Sequence, residues 1–429
     1  MHPTVASAKD ESLPLVITPE TFKKRSPLPR LGPLDPPPPG STKQLIEMGP
    51  SHPAMHGTVK INLIADGEKV ERIDVDVGYL HRGFEKSSEN ATWTMVFPYT
   101  DRLNYLSPFI NNAGYAMAVE KLMGLEVPPR AKFCRMIASE ISRMADHCTC
   151  VGASTMELAA FTGMLYLIEA RDLMWDLTEE LCGARLTVSY VRLGGVSADL
   201  PPDFQRHVQE KLDRVMFLLD DTESLLNRNQ IFIGRMRGVG TMTKEEAVEW
   251  GWTGPCLRST GVPYDVRVAH PYDYYDRVKF EVPVGAVGDN FDRYLVRMKE
   301  LRESASIIKQ SLELIKDTPP ELVVKDSRVA MPPKERVHTA IEELMNHFKI
   351  IIDGVQVPAG EAYSYVEGAN GELGYYVVST GGGRPWKVRV RPPCWPIVSS
   401  MPRLIEGSMI ADIVPTFGSV NMIGGECDR

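Results

Sequence analysis

Four stretches of this 429-residue chain repeat apolar side chains every three or four residues over many turns, and no other feature limits the fold more. After Pro128-Pro129, which suits a helix start, Phe133, Ile137, Ile141, Met144, Cys148 and Val151 fall on one helical face. The same spacing predicts a helix over roughly Met156–Gly183. It predicts another over Pro202–Asn229, through Phe204, Val208, Leu212, Val215, Leu219 and Leu226, and a fourth over about Asp289–Lys316, through Tyr294, Met298, Leu301, Ile308, Leu312 and Ile315. A helix with one apolar stripe buries it only against neighbours, so these four are expected to pack as a bundle.

The flanks have a different period. Val59, Ile61 and Leu63 alternate within Thr58–Ala65, and Ile73, Val75, Val77 and Tyr79 alternate within Val70–Tyr79. Asp66-Gly67-Glu68 between them predicts a β-hairpin. Near the other end, Ala362–Val366 and Leu373–Ser379 flank Gly368-Ala369-Asn370-Gly371-Glu372, a second hairpin, and Trp386–Val390 follows. The expected class is α+β: a central bundle of long helices with an N-terminal β-hairpin domain and a C-terminal β-containing lobe. Domain bounds are placed at 1–46, a proline-rich extended or disordered tail; 47–106, the N-terminal β domain; 107–330, the bundle; and 331–429, the C-terminal lobe. The tail reads either as a plain disordered arm or as a strap along a neighbouring subunit. The closing stretch Gly418–Arg429 is apolar and is expected to be buried.

Bulk properties exclude several classes. A net charge of -8 argues against a general nucleic-acid binder, whose footprint is basic. Seven cysteines without a Cys-x-x-Cys imply neither a disulfide framework nor a resident iron–sulfur cluster, and Cys148-x-Cys150 reads as small apolar core residues. No signal peptide is visible, and Leu158–Ile168 is too short an apolar run for the ~20 residues that span a bilayer. Gly381-Gly382-Gly383 lacks the surrounding pattern of a nucleotide loop.

Chemistry concentrates in Gly49-Pro50-Ser51-His52-Pro53-Ala54-Met55-His56-Gly57. Its two prolines bar a regular helix and its glycines permit tight turns, so His52 and His56 are mounted on a stiff irregular loop. Pro53 also breaks the helical spacing that would make them a metal pair. Because a hairpin brings its ends together, this loop is expected near Arg82. Glu157, on an otherwise apolar track, is either a paired or neutral carboxyl or a glutamate reaching solvent near a helix start.

Several long runs, in order, carry a resemblance. They are the histidine loop; His81-Arg82-Gly83-Phe84-Glu85-Lys86; Pro98-Tyr99-Thr100-Asp101-Arg102-Leu103-Asn104-Tyr105; Gly183-Ala184-Arg185 with Tyr190-Val191-Arg192; Val366-Glu367-Gly368-Ala369-Asn370-Gly371-Glu372; and Asp428-Arg429. From about residue 47 onward the chain resembles the D subunit of respiratory complex I, the proton-translocating NADH:quinone oxidoreductase. That family shares its scaffold with the large subunit of nickel–iron hydrogenases, so the resemblance implies a hydrogenase-like fold. The thiolate positions of those enzymes fall here on Asn104, Ser107, Ile423 and Glu426, which cannot hold a soft metal.

The resemblance implies a quinone chamber in the vacated metal cavity. Tyr105 and His56 would bond the two quinone carbonyls, with Glu157 standing where the family has an Asp paired to that His. His52, Ile423 and Asn421 would line the pocket. Arg82 would lie against a [4Fe-4S] cluster held by the adjoining small, hydrogenase-like B subunit. Further implied partners are the C subunit, the membrane-arm H subunit and quinone, with no cofactor bound by this chain. The implied location is peripheral, on the cytoplasmic side of a bacterial inner membrane or the matrix side of a mitochondrial one. Three departures stand out: Glu157 for Asp, Thr187 for a His near the cluster, and Asn421 for a common Asp, which would remove a charge near the pocket.

Overall fold

In the computed structural model, which describes residues 34–55 and 57–429, three strands open the fold: β1 (Lys43–Met48), β2 (Lys60–Asp66) and β3 (Lys69–Asp76), antiparallel in the order β1-β2-β3. Ile61 pairs with Val75 and Leu63 with Ile73, and Gly67 turns the hairpin at φ 61°. Alternation does the work here. Ile61, Leu63, Val70 and Ile73 are buried on one face, against Ile405, Phe417, Val420 and Ile423 from the far end of the chain. Strand β1 is a departure from expectation, because Lys43–Met48 straddles the boundary assigned to the proline-rich tail. It is an exposed edge held by backbone pairing to β2, with Lys60 Nζ 3.0 Å from Glu47 Oε1, so it shows no apolar alternation to read. Residues 1–33 and His56 lie outside the described residues.

The main helices are α1 (Pro108–Met123), α2 (Pro129–Glu157), α3 (Phe161–Cys182), α4 (Phe204–Leu226) and α5 (Asn290–Leu314). The predicted stripes of α2, α4 and α5 join α3 in one core. Helix α1 was not expected, since it is buried on nearly every side, Asn111 and Asn112 included, and so offers no polar face to set a period. Gly114 lets it approach the second sheet, where an added Cβ would lie 3.0 Å from Val366 and Tyr375.

That sheet comprises β4 (Gly360–Gly368), β5 (Gly371–Ser379) and β6 (Lys387–Arg391), all antiparallel. Before it comes the amphipathic α6 (Ile341–Ile352), and after it α7 (Ile410–Val420) and α8 (Gly424–Cys427). Residues 415–428 are buried, as their apolar sequence predicts. Residues 34–429 form one compact unit, and no described helix is long and apolar enough to cross a membrane.

Candidate functional site

Two segments far apart in sequence meet at a cavity. Tyr105 and Leu106 form one side; Phe417, Gly418, Asn421, Met422 and Ile423 form the other; Thr149, Cys150 and Ala153 of α2 close the floor. The cavity is small, about 80 Å³, and Tyr105 is 39% exposed. Asn421 occupies the left-handed region at φ 54°, a conformation Asn tolerates, and so turns the chain between α7 and α8. Ile423 is buried in the apolar wall.

The centre of the polar structure beneath this wall is Asp146, fully buried on α2. Its Oδ2 accepts a 2.7 Å hydrogen bond from Asn104 Nδ2 and its Oδ1 a 2.8 Å bond from Asn421 Nδ2. Asn421 Nδ2 also lies 2.6 Å from Asn370 Oδ1, and Asn370 Nδ2 reaches Cys394 Sγ at 3.4 Å. Burial raises the Tyr105 phenol above its ordinary range, and the Asp146 charge adds to the effect, so Tyr105 is a proton donor at neutral pH. Burial also pushes the Glu426 carboxyl up to about 7, against the 3.0 Å hydrogen bond it accepts from the Cys394 amide. Three thiols anchor the wall from behind: Cys150 on the Gly418 carbonyl at 3.8 Å, Cys256 on Val420 at 3.9 Å and Cys394 on Asn421 at 3.6 Å.

Tyr105, Asn421 and Ile423 therefore line one cavity. Glu157, the last residue of α2, reaches the wall from outside: its carboxylate is buried against Gly418, where an added Cβ would sit 1.9 Å from Oε2. His52 is exposed, its Nδ1 accepting from the Ala54 amide at 3.2 Å, and it is not on the cavity wall. His56 falls outside the described residues, but its neighbour Gly57 is placed: at φ 79° it packs on Gly424, where a Cβ would meet the Gly424 nitrogen at 2.9 Å. Leu80 touches the same glycine, and Arg82 Nη2 lies beside Gly425 while donating to the Arg102 carbonyl at 2.6 Å. The loop and Arg82 approach α8 at neighbouring glycines, Gly57 at Gly424 and Arg82 at Gly425, with α8 between them. The end of the chain locks this junction, Asp428 accepting from the Gly78 and Leu80 amides at 2.9 and 2.8 Å.

Asp146 was not singled out from sequence, and Asn370 and Glu426 appeared only within a motif run and as a thiolate position, without a role of their own. Asp146 lies off the apolar stripe of α2, on the face that a one-stripe reading gives to solvent, so the stripe carries no signal for it. Of the four positions that the sequence reading set against hydrogenase thiolates, Asn104 donates to Asp146, Ser107 is buried, Ile423 lines the cavity and the Glu426 carboxyl is pushed up to about 7. Among the described residues no group of three or more His, Cys, Asp or Glu is arranged to hold a metal ion.

Comparison with known proteins places this arrangement. Residues 157–429 match the family model described as respiratory-chain NADH dehydrogenase, 49 Kd subunit. A D subunit of NADH-quinone oxidoreductase from Anaeromyxobacter dehalogenans is 54% identical over 91% of this chain and 90% of its own length. A D subunit from Sorangium cellulosum is 53% identical over 91% and 96% respectively. A C/D subunit from Bdellovibrio bacteriovorus is 44% identical, this chain covering 68% of its length. The chain belongs to the 49 kDa subunit family of respiratory-chain NADH dehydrogenase.

Proposed function

We propose that this chain forms the quinone headgroup site of a proton-translocating NADH:quinone oxidoreductase and supplies protons as the quinone is reduced. The observation that carries the reading is the convergence of Tyr105, Asn421 and Ile423 on one cavity, in a member of this family. A quinone that takes two electrons must take two protons, because a doubly charged quinol in an apolar pocket costs tens of kcal/mol. The Tyr105 phenol, held protonated, is one donor. His56 is the second, and its imidazole titrates near neutrality unless perturbed. Glu157 favours the charged form of His56 and is left uncompensated when that proton leaves. This uncompensated charge is the signal passed to the membrane arm.

Electrons come from a [4Fe-4S] cluster in the adjoining small B subunit. Arg82, exposed except for its bond to Arg102, faces that neighbour, and the vacated cavity is of the nickel–iron hydrogenase kind. The C subunit is a partner, in keeping with the relative named C/D, and the H subunit offers the membrane surface on the cytoplasmic side of the bacterial inner membrane. Tyr105→Phe in the assembled complex tests the reading: quinone reduction should nearly stop while NADH still reduces the clusters. Undiminished quinone turnover would leave this chain a scaffold with an inactive pocket.

A further inference from the structure

A carboxylate buried without a cation is costly, and helix α2 places one directly beneath the cavity. Among the described residues, no Lys or Arg forms an ion pair with Asp146; its two hydrogen bonds come from neutral amides, Asn104 at 2.7 Å and Asn421 at 2.8 Å. These amides lie on opposite sides of the space: Asn104 precedes Tyr105, and Asn421 is two residues from Ile423. Resting on the quinone-site reading above, we propose that Asp146 is a positioning residue: its carboxylate ties Asn104 to Asn421 beneath the cavity and fixes the separation of the Tyr105 and Ile423 walls.

Geometry and charge support this independently. Neutral side chains bridging the same gap would close it without the cost of desolvating an anion, whereas hydrogen bonds to a charged group are roughly twice as strong as neutral ones. The clamp is therefore stiffer than an amide network. The charge also acts on the phenol, since the Asp146 carboxylate raises the proton affinity of Tyr105 beyond what burial does alone. Once Tyr105 has given its proton to quinone, the nearby anion drives its reprotonation before the next turnover. The neighbour Glu426 feels the same charge, which adds to burial in keeping it near neutral. Asp146 itself touches no quinone in this arrangement; it acts through Tyr105 and Asn421.

The test uses the assembled complex and three variants. Asp146→Asn should lower quinone turnover roughly tenfold or more, with a change in KM, while NADH oxidation by a soluble artificial acceptor stays at the wild-type rate. Asn421→Asp alone faces two carboxylates across one hydrogen bond and should also be impaired. The exchange Asp146→Asn with Asn421→Asp restores one anion and the bond, and turnover should return to within a few-fold of wild type. With a fluorinated tyrosine at position 105, so that the phenol titrates within the working range, Asp146→Asn should move the alkaline limb of activity to lower pH. Wild-type turnover in Asp146→Asn, an exchange variant no better than the worse single, or an unmoved alkaline limb would overturn the inference. Tyr105→Phe separates the two claims. If it abolishes quinone reduction while Asp146→Asn behaves as wild type, only the role of Asp146 falls; if it leaves quinone reduction intact, the quinone-site reading itself falls.

Discussion

Two buried polar regions lie side by side in this molecule and are built on opposite rules. In the bundle, Arg258 donates to Glu300 at 2.7 Å and Glu367 at 2.8 Å, Glu300 holds His147 Nε2 at 2.8 Å, and Arg267 joins Asp265 at 2.7 Å and Glu140 at 3.2 Å. Each anion there has a cation. Burial alone would raise the Glu300 carboxyl, but Arg258 and His147 hold it well below its usual range. One helical step away, Asp146 and Glu426 rest on amides, and Glu426 is driven up to about 7. Compensated charge makes a rigid scaffold whose protonation is fixed; uncompensated charge beside a cavity is poised to exchange protons.

Breaking the compensated region should have the largest effect. Arg258→Met leaves Glu300 and Glu367 buried without their shared cation, which is expected to cost about 3–5 kcal/mol. Loss of soluble chain, or a thermal midpoint lowered by many degrees, is the expected outcome. A midpoint within a degree or two of wild type would show that this network is not the scaffold.

The poised region should respond to pH instead. Glu426 has a folded pKa raised from an ordinary 4.5 to about 7, so its neutral form contributes stability that is fully present below about pH 4.5 and lost as pH rises through 7. That change amounts to something on the order of 3 kcal/mol. Glu426→Gln keeps the acceptor for the Cys394 amide and removes the titration. Thermal unfolding at pH 5 and pH 8 should therefore show a smaller loss in the variant than in wild type, and parallel losses would assign Glu426 to the compensated class.

Between these lies the wall itself. Gly418→Ala places a Cβ 1.9 Å from Glu157 Oε2, so the carboxylate must move away from the cavity. Displacement of that size at a working site costs on the order of 100-fold in turnover. Adding Glu157→Asp, one methylene shorter, should recover part of the quinone reductase activity of the assembled complex; no recovery would mean that the wall, rather than the carboxyl, was disturbed.

Legibility in the sequence followed the same division. Helix α4 was readable because it has one wet face, which imposes a period, and the hairpins because they alternate around a turn; α2 and α5, buried over most of their length, showed a stripe because charged and polar side chains such as Arg143 and Arg297 occupy their other buried faces. Helix α1 and strand β1 were not, the first being buried all round and the second being an exposed edge held by backbone bonds. Within the site, Tyr105, Asn421 and Ile423 were found through motif resemblance and do share a cavity. Asp146 was missed because its neighbours in space, Asn104 and Asn421, are 42 and 275 residues away in sequence. The departure at Asn421 was read as the loss of a charge, yet the structure puts a carboxylate 2.8 Å from that amide, on another helix.

The smallest effect belongs to His52, which sequence reasoning set in the pocket and the structure leaves exposed. Its side chain's only described hydrogen bond is local, the Ala54 amide donating to Nδ1 at 3.2 Å, and such a bond at the surface is worth about 0.5–1 kcal/mol. The loop has stronger anchors: Pro50 and Pro53 restrict its backbone, and Gly57 is wedged against Gly424 and Met422. His52→Ala should then change quinone turnover less than about twofold and stability by under about 1 kcal/mol. A loss approaching that of Tyr105→Phe would mean that the loop turns inward when quinone binds, and that the uncompensated region is larger than its two carboxylates.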